Sequence, residues 1–236
     1  MTPPSSTALP TIDGTADVGQ ALHANPGSWT GFPAPTFSYQ WQDCTATAYR
    51  DAVLADSPLG YWRLGEGAPS TTAFDESANH SNGTYLNAPT FGQPGLLTDD
   101  ESLAVDFNGS NQSVTTSVTS TTAQLAQFTF ESWIQTSGTK TTRQAIIGNS
   151  VGGLEIAANA SNVRLQFSNG STTQTVTAPA VVTDGRPHHV VGTWDGSQLR
   201  IYVDNSAPTV ATPVGTPVGS TTGIAIGNYT GVASAN

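Results

Sequence analysis

The chain has 236 residues with 7 Lys and Arg against 17 Asp and Glu, a formal net charge of −10; this disfavours nucleic acid and anionic lipid as partners, because both are held by clustered cations. No run approaches the roughly 18 apolar residues of a membrane span, so membrane insertion is not expected. Only 10% of residues are charged, while 24 are Gly and 15 are Pro, a composition that excludes a helix-rich protein and favours short strands joined by turns.

A single cysteine, Cys44, rules out a disulfide or a Cys-based zinc site within these residues. Residues 1–20 lack the basic start and apolar middle of a signal peptide. The first residues, through "SSTALP", are polar and Pro-rich and read as linker. "TFSYQWQDC" then places Phe37, Tyr39 and Trp41 on one face at period two. The stretch "VGQALHANPGSWTGFPAPTFSYQWQDC" resembles the start of bacterial immunoglobulin-like repeats, over Val18 to Cys44. The resemblance implies half a domain, and its strands alone cannot close a sandwich.

Downstream, residues 49–55 suit a short helix with Tyr49, Ala52 and Val53 on one side, ended by Pro58. Strands are expected at 61–64, 83–86, 102–107, 113–118, 128–135, 144–148, 154–158, 162–167, 172–177, 188–194, 198–203 and 223–227, separated by "NGS", "SNG", "DGS" and "DNS" turns. This spacing predicts an all-β fold, an antiparallel sandwich or jelly roll. In "FTFESWIQ", Phe128, Phe130, Ser132 and Ile134 share one face and Thr129, Glu131 and Trp133 the other, as in a central strand of two packed sheets. Asp195-Gly196 suits a tight hairpin. In "GYWRLGE", Trp62 and Leu64 are expected inward, with Arg63 paired to Glu66 or another carboxylate.

Five ordered segments, "AVLADSPLGYWRLGE", "FDESANHSNGTY", "LAVDFNGSNQSV", "FTFESWIQ" and "RPHHVVGTWDGSQLRIYVDN", resemble the laminin-G-like, concanavalin A-like jelly-roll domains of bacterial and phage surface proteins. The resemblance runs from Tyr49 to about Gly227. It implies a non-catalytic recognition or adhesion module of a larger surface or virion protein, extracellular, with a glycan or an extracellular protein as ligand. The chain is thus expected to divide into 1–47, linker and partial immunoglobulin-like segment, and 48–236, the jelly roll. The family's closing strand, of the "G.IDEV.IY..AL" type, is expected to lie beyond "GNYTGVASAN".

Catalysis finds little support. Glycoside hydrolases of this architecture need paired carboxylates about 5 to 5.5 Å apart when retaining, and the only i, i+2 acidic pair is Asp99 and Glu101 in a loop-like stretch. Glu131 is alone on its strand and reads as an outward hydrogen-bond acceptor. His188 and His189 point to opposite faces and cannot chelate one metal together; at least one is expected to be packed and hydrogen-bonded. No catalytic or organic-cofactor residues are assigned.

The loop "FDESANHSNGTY" is the candidate site. Asp75, Asn79 and Asn82 could converge on calcium, and the resemblance points the same way, since related domains carry "D.SGNGNDG" here; Ala78 and His80 replace glycines and Asn82 replaces Asp. The alternative is a turn-rich loop whose Asx side chains cap their own backbone. Trp62, Trp133 and Trp194 are all expected in the core. The N-x-S/T triplets at Asn82, Asn108 and Asn169 imply glycosylation only in a secretory host. Two other functional readings remain open, a spacer or assembly module without ligand and, least supported, a glycoside hydrolase-type enzyme.

Overall fold

A computed structural model describes residues 2–8, 10–14, 21–33, 36–37, 48–97, 100, 102–120, 125–138, 143–149 and 153–227. The chain forms two compact units, Met1–Cys44 and Thr45–Asn236. In the first, β1 (Thr2–Ala8) pairs antiparallel with β4 (Ser28–Phe32), and β2 (Thr11–Asp13) with β3 (His23–Asn25). The leader expected as linker is therefore a strand. Its prolines, Pro3 and Pro4, fall between the Thr2–Phe32 and Ser5–Thr30 pairs, where the ladder is irregular, so the missing N–H groups leave no regular ladder bond unmade. Phe37 lies outside any strand; Tyr39, Trp41 and Cys44 fall outside the described residues.

The second unit opens with α1 (Ala48–Ala55), which stops ahead of Pro58 as that residue's missing donor requires. Val53 and Leu54 are half-buried, whereas Ala52 is exposed. Fourteen strands follow among the described residues: β5 (Thr72–Ala73), β6 (Gly83–Leu86), β7 (Thr90–Pro94), β8 (Leu103–Asp106), β9 (Ser113–Ser120), β10 (Phe128–Ser137), β11 (Gln144–Asn149), β12 (Leu154–Ala158), β13 (Val163–Ser168), β14 (Thr173–Ala178), β15 (Asp184–Trp194), β16 (Leu199–Val203), β17 (Thr209–Ala211) and β18 (Ser220–Ile226). They build an eight-stranded sheet in the order β14-β13-β12-β11-β18-β9-β6-β5, a four-stranded sheet β10-β15-β16-β17, and a ribbon β7-β8. The fold is an all-β, antiparallel jelly-roll sandwich.

Period-two alternation accounts for the packing. From the four-stranded sheet, Val190, Trp194, Leu199, Ile201 and Val203 face inward; from the eight-stranded sheet, Leu154, Ile156, Val163, Leu165, Phe167 and Val176 meet them in one core. Phe167 and Trp194 make an edge contact across the gap, with ring centroids 5.3 Å apart. Gly192 sets the spacing locally, since a Cβ there would lie 3.0 Å from Ile156 Cδ1 and 3.1 Å from Leu165 Cδ2. A smaller cluster, Ala73, Tyr85 and Val114, is covered by Trp62, Leu64, Phe91, Val105 and Phe107.

Two expectations about strands fail. Residues 61–64 form no strand, only a single bridge from Trp62 to Asp75, because Leu64 adopts a φ of 59° that breaks extended geometry. Trp62 and Leu64 still pack inward, and Arg63 pairs with Asp100, not Glu66, through Nη2 contacts of 2.6 and 2.8 Å. The second concerns β10, which lies at an edge of its sheet and not at the centre. Its inner residues Phe128, Phe130 and Ile134 nonetheless pack on the core.

Candidate functional site

Because Phe128, Phe130 and Ile134 face the core, Glu131 and Trp133 project from the outer face of the four-stranded sheet. The register sets Trp133 opposite His189 and Glu131 opposite Val191. The Trp133 and His189 rings stack, with centroids 4.8 Å apart and planes 20° from parallel. Helix α1 adds Tyr49, whose ring meets Trp133 edge-on at 6.5 Å and 76°. Trp133 Nε1 donates to the Tyr49 hydroxyl at 3.1 Å, and that hydroxyl in turn donates to Glu131 Oε1. Three segments remote in sequence thus meet in a partly buried aromatic patch with a carboxylate at its rim. The expectation of Trp133 in the core is corrected: alternation separates two faces of a strand, and the three apolar side chains on the other face claim the interior.

The cluster favours the ionised form of Glu131. His189 Nε2 lies 3.0 Å from Glu131 Oε1, an ion-pair distance without hydrogen-bond alignment. That imidazole, acting against partial burial and assisted by the Tyr49 hydroxyl, holds the Glu131 carboxyl below the usual glutamate range. Burial first, and then the bond to Glu131, pushes the Tyr49 phenol upward, so it stays protonated and able to donate. Glu131 is 39% exposed, and among the described residues nothing bonds its second oxygen, Oε2.

The loop singled out in the sequence turns its polar side chains to its own backbone, the alternative reading of its Asx residues. Asp75 is 3% exposed. Its Oδ1 accepts from the backbone N–H groups of Tyr61 and Ser77 at 2.8 and 2.9 Å; its Oδ2 accepts from Ser77 Oγ at 2.8 Å and from Ser81 N–H at 2.7 Å. Asn82 Oδ1 takes the Asp75 N–H at 2.9 Å, and Asn79 Nδ2 donates to Leu59 O at 3.1 Å. Burial alone would raise the Asp75 carboxyl, but the donors aimed at it outweigh burial and hold it low. A calcium ion needs several oxygens free and converging. Here Asp75 and Asn82 present their oxygens to N–H and O–H groups, and Asn79 turns its amide nitrogen to a carbonyl. As folded, this donor set does not fit calcium, and the loop is an Asx-capped turn that ties residues 61 and 81 together.

The matched family model is that of the Concanavalin A-like lectin/glucanases superfamily, also described as Laminin_G_3, and it covers residues 108–235, more than half of the chain. The chain belongs to that superfamily. The structural likenesses are distant and show the fold alone. A structure titled for botulinum neurotoxin type C, whose cell entry depends on two ganglioside molecules, aligns with a TM-score of 0.50 and 11% identity over 75% of this chain and 44% of that one. The chain thus spans less than half the length of that structure. Domain 4 of AbnA, an extracellular arabinanase from Geobacillus stearothermophilus, in complex with arabinotriose, aligns with a TM-score of 0.50 and 16% identity over 67% of this chain and 79% of that one. The comparison with curated proteins found no match.

In this concanavalin A-like domain several titratable groups are held in ion pairs and hydrogen bonds. Asp99 and Glu101 lie outside the described residues. Glu131 is held toward its ionised form, chiefly by His189. His188, buried at 8% exposure, sits between two carboxylates, Nδ1 3.0 Å from Asp204 Oδ2 and Nε2 3.0 Å from Asp184 Oδ1, so it is the packed and bonded histidine expected of the pair. The residues not recognised in sequence as a site are Tyr49, Glu131, Trp133 and His189. The shared parity of Glu131 and Trp133, opposite to Phe128 and Phe130, was the available signal for two of them.

Proposed function

We propose that this domain is a non-catalytic glycan-recognition module whose binding face is the outer surface of β10 and β15 around Trp133. The observation that carries this reading is the partly buried Trp133 ring on the sheet's outer face, braced by His189 and Tyr49, with the ionised Glu131 beside it. Rigid aromatic surface offers apolar area for the C–H faces of a sugar, and an acceptor at its rim can fix hydroxyl groups. Bracing matters because a side chain already immobilised loses little entropy on binding. The structural relatives described with arabinotriose and with ganglioside-dependent entry support the reading at the level of fold. Placement outside the cell, within a larger surface or virion protein, belongs to the same proposal and rests on the family resemblance.

A second reading is a spacer or assembly module without ligand. It is favoured by one observation: Trp133 Nε1, the Tyr49 hydroxyl and Glu131 Oε1 satisfy one another, as they would if their purpose were to dock α1 on the sheet. A glycan array probed with the full chain, alongside Trp133→Ala shown folded by circular dichroism, separates the two. The expected result is binding of at least one glycan class at micromolar affinity by the native chain and its loss in the variant. Silence across the array, with and without calcium, supports the spacer.

A further inference from the structure

We propose that the glycan taken by the Trp133 face is uncharged, without carboxylate, sulfate or phosphate groups. This rests on the recognition reading above and narrows it. An anionic sugar needs a cation that it can reach without displacing another anion, ideally a forked guanidinium. The chain has six arginines and one lysine, and the lysine, Lys140, falls outside the described residues. Around the Trp133 face, both neighbouring arginines are already engaged. Arg200, outward on β16, lies with Nη1 2.5 Å from Asp195 Oδ2 and its other terminal nitrogen on Gln198 Oε1. Arg50, beside Tyr49 on α1, is paired with Glu76 and lies 3.4 Å from Asp51.

The other arginines are elsewhere. Arg63 is held by Asp100. Arg186 is 82% exposed and lies 4.0 Å from Asp184, in the stretch of β15 past Pro187 where the register with β10 shifts. On the eight-stranded sheet, Arg143 and Arg164 share Oε1 of Glu155 at 3.0 and 3.1 Å. Against this background Glu131 Oε2, an acceptor carrying negative charge, is a polar atom left to a ligand at the Trp133 face. Hydroxyl groups can donate to it, whereas a sialic acid, uronic acid or sulfate group would meet like charge on a protein already at −10.

The test uses the full chain on matched oligosaccharides that differ only by a sialic acid, uronate or sulfate group, at low and at physiological salt. The neutral member of each pair is expected to bind roughly tenfold or more tightly. That preference is expected to shrink in Glu131→Gln and as salt screens the carboxylate. Equal or tighter binding of the acidic members, abolished by Trp133→Ala, overturns this inference and leaves glycan recognition standing. Acidic binding abolished by Arg143→Ala but not by Trp133→Ala overturns the choice of face as well. No binding by any glycan removes the recognition reading, and this one with it.

Discussion

Trp133 and His189 stand directly opposite one another on β10 and β15, and their rings stack at 4.8 Å. Each ring shields the other from water on one side, so the pair stiffens a face that would otherwise carry a mobile indole. Removing the indole as Trp133→Ala is expected to cost about 2 kcal/mol, below the 3 to 5 of aromatics deleted from a closed core. Urea denaturation measures this. A loss at the top of that range would place Trp133 in the interior after all.

Tyr49→Phe keeps the edge contact with Trp133 but deletes the hydroxyl that bridges Trp133 Nε1 and Glu131 Oε1. Two partners are left to water, for an expected cost of about 1 to 2 kcal/mol. Tryptophan fluorescence should shift at the same time, because the indole N–H changes partner. An unchanged denaturation midpoint together with an unchanged spectrum would show that α1 is not anchored through this hydroxyl.

Asp75 accepts four hydrogen bonds from three residues, Tyr61, Ser77 and Ser81. Asp75→Asn preserves shape but turns one oxygen into an N–H group facing donors, so about 3 kcal/mol of destabilisation is expected. Adding calcium to the native chain should leave the melting temperature unmoved. A calcium-dependent rise that Asp75→Asn abolishes would mean that the loop reorganises around the ion.

His188 gives stability a pH dependence. Both ring nitrogens face carboxylates, and a histidine can donate from both only as imidazolium. Burial works against the charge, but Asp184 and Asp204 outweigh it and raise the His188 pKa. A raised folded value means that this contribution is complete below the unfolded value near 6.5 and fades as pH rises through the folded one. The reverse holds for the two aspartates. For Asp184 the His188 bond is the chief cause of a lowered pKa; for Asp204 burial opposes, and the bonds to His188 and to the His189 N–H prevail. Their stabilisation is present above the ordinary aspartate value near 4 and disappears in acid. Thermal midpoints should therefore be highest between roughly pH 4.5 and 6.5 and decline toward pH 8. His188→Gln should flatten the alkaline decline; an identical slope in the variant would refute the assignment.

Much of the sandwich can be read from alternation and turn chemistry. Residues 188–203 announce a hairpin, because apolar and polar positions alternate on either side of Asp195-Gly196, and the structure closes it with Asp195 Oδ1 accepting from the N–H groups of Ser197 and Gln198. The strands passed over are β5, β7 and β17: Thr72–Ala73 and Thr209–Ala211 are too short to show a period, and Thr90–Pro94 is interrupted by Gly92 and Pro94. The site is harder to read. Composition marks Asp75, Asn79 and Asn82 as oxygen-rich, but which way each amide and carboxylate turns depends on N–H groups as far away as Tyr61. The Trp133 patch requires Tyr49 to arrive from 84 positions upstream, and no local pattern encodes that meeting.

That meeting also bears on how the molecule can be divided. The family match starts at residue 108, and a segment cut there would retain β10, β15 and the Trp133–His189 stack while losing α1. The indole N–H and Glu131 would both lose their shared hydroxyl, and β5 and β6 would be stripped from the edge of the larger sheet. Homology therefore draws its border inside the proposed recognition unit. The smallest piece that keeps the face whole begins before Tyr49.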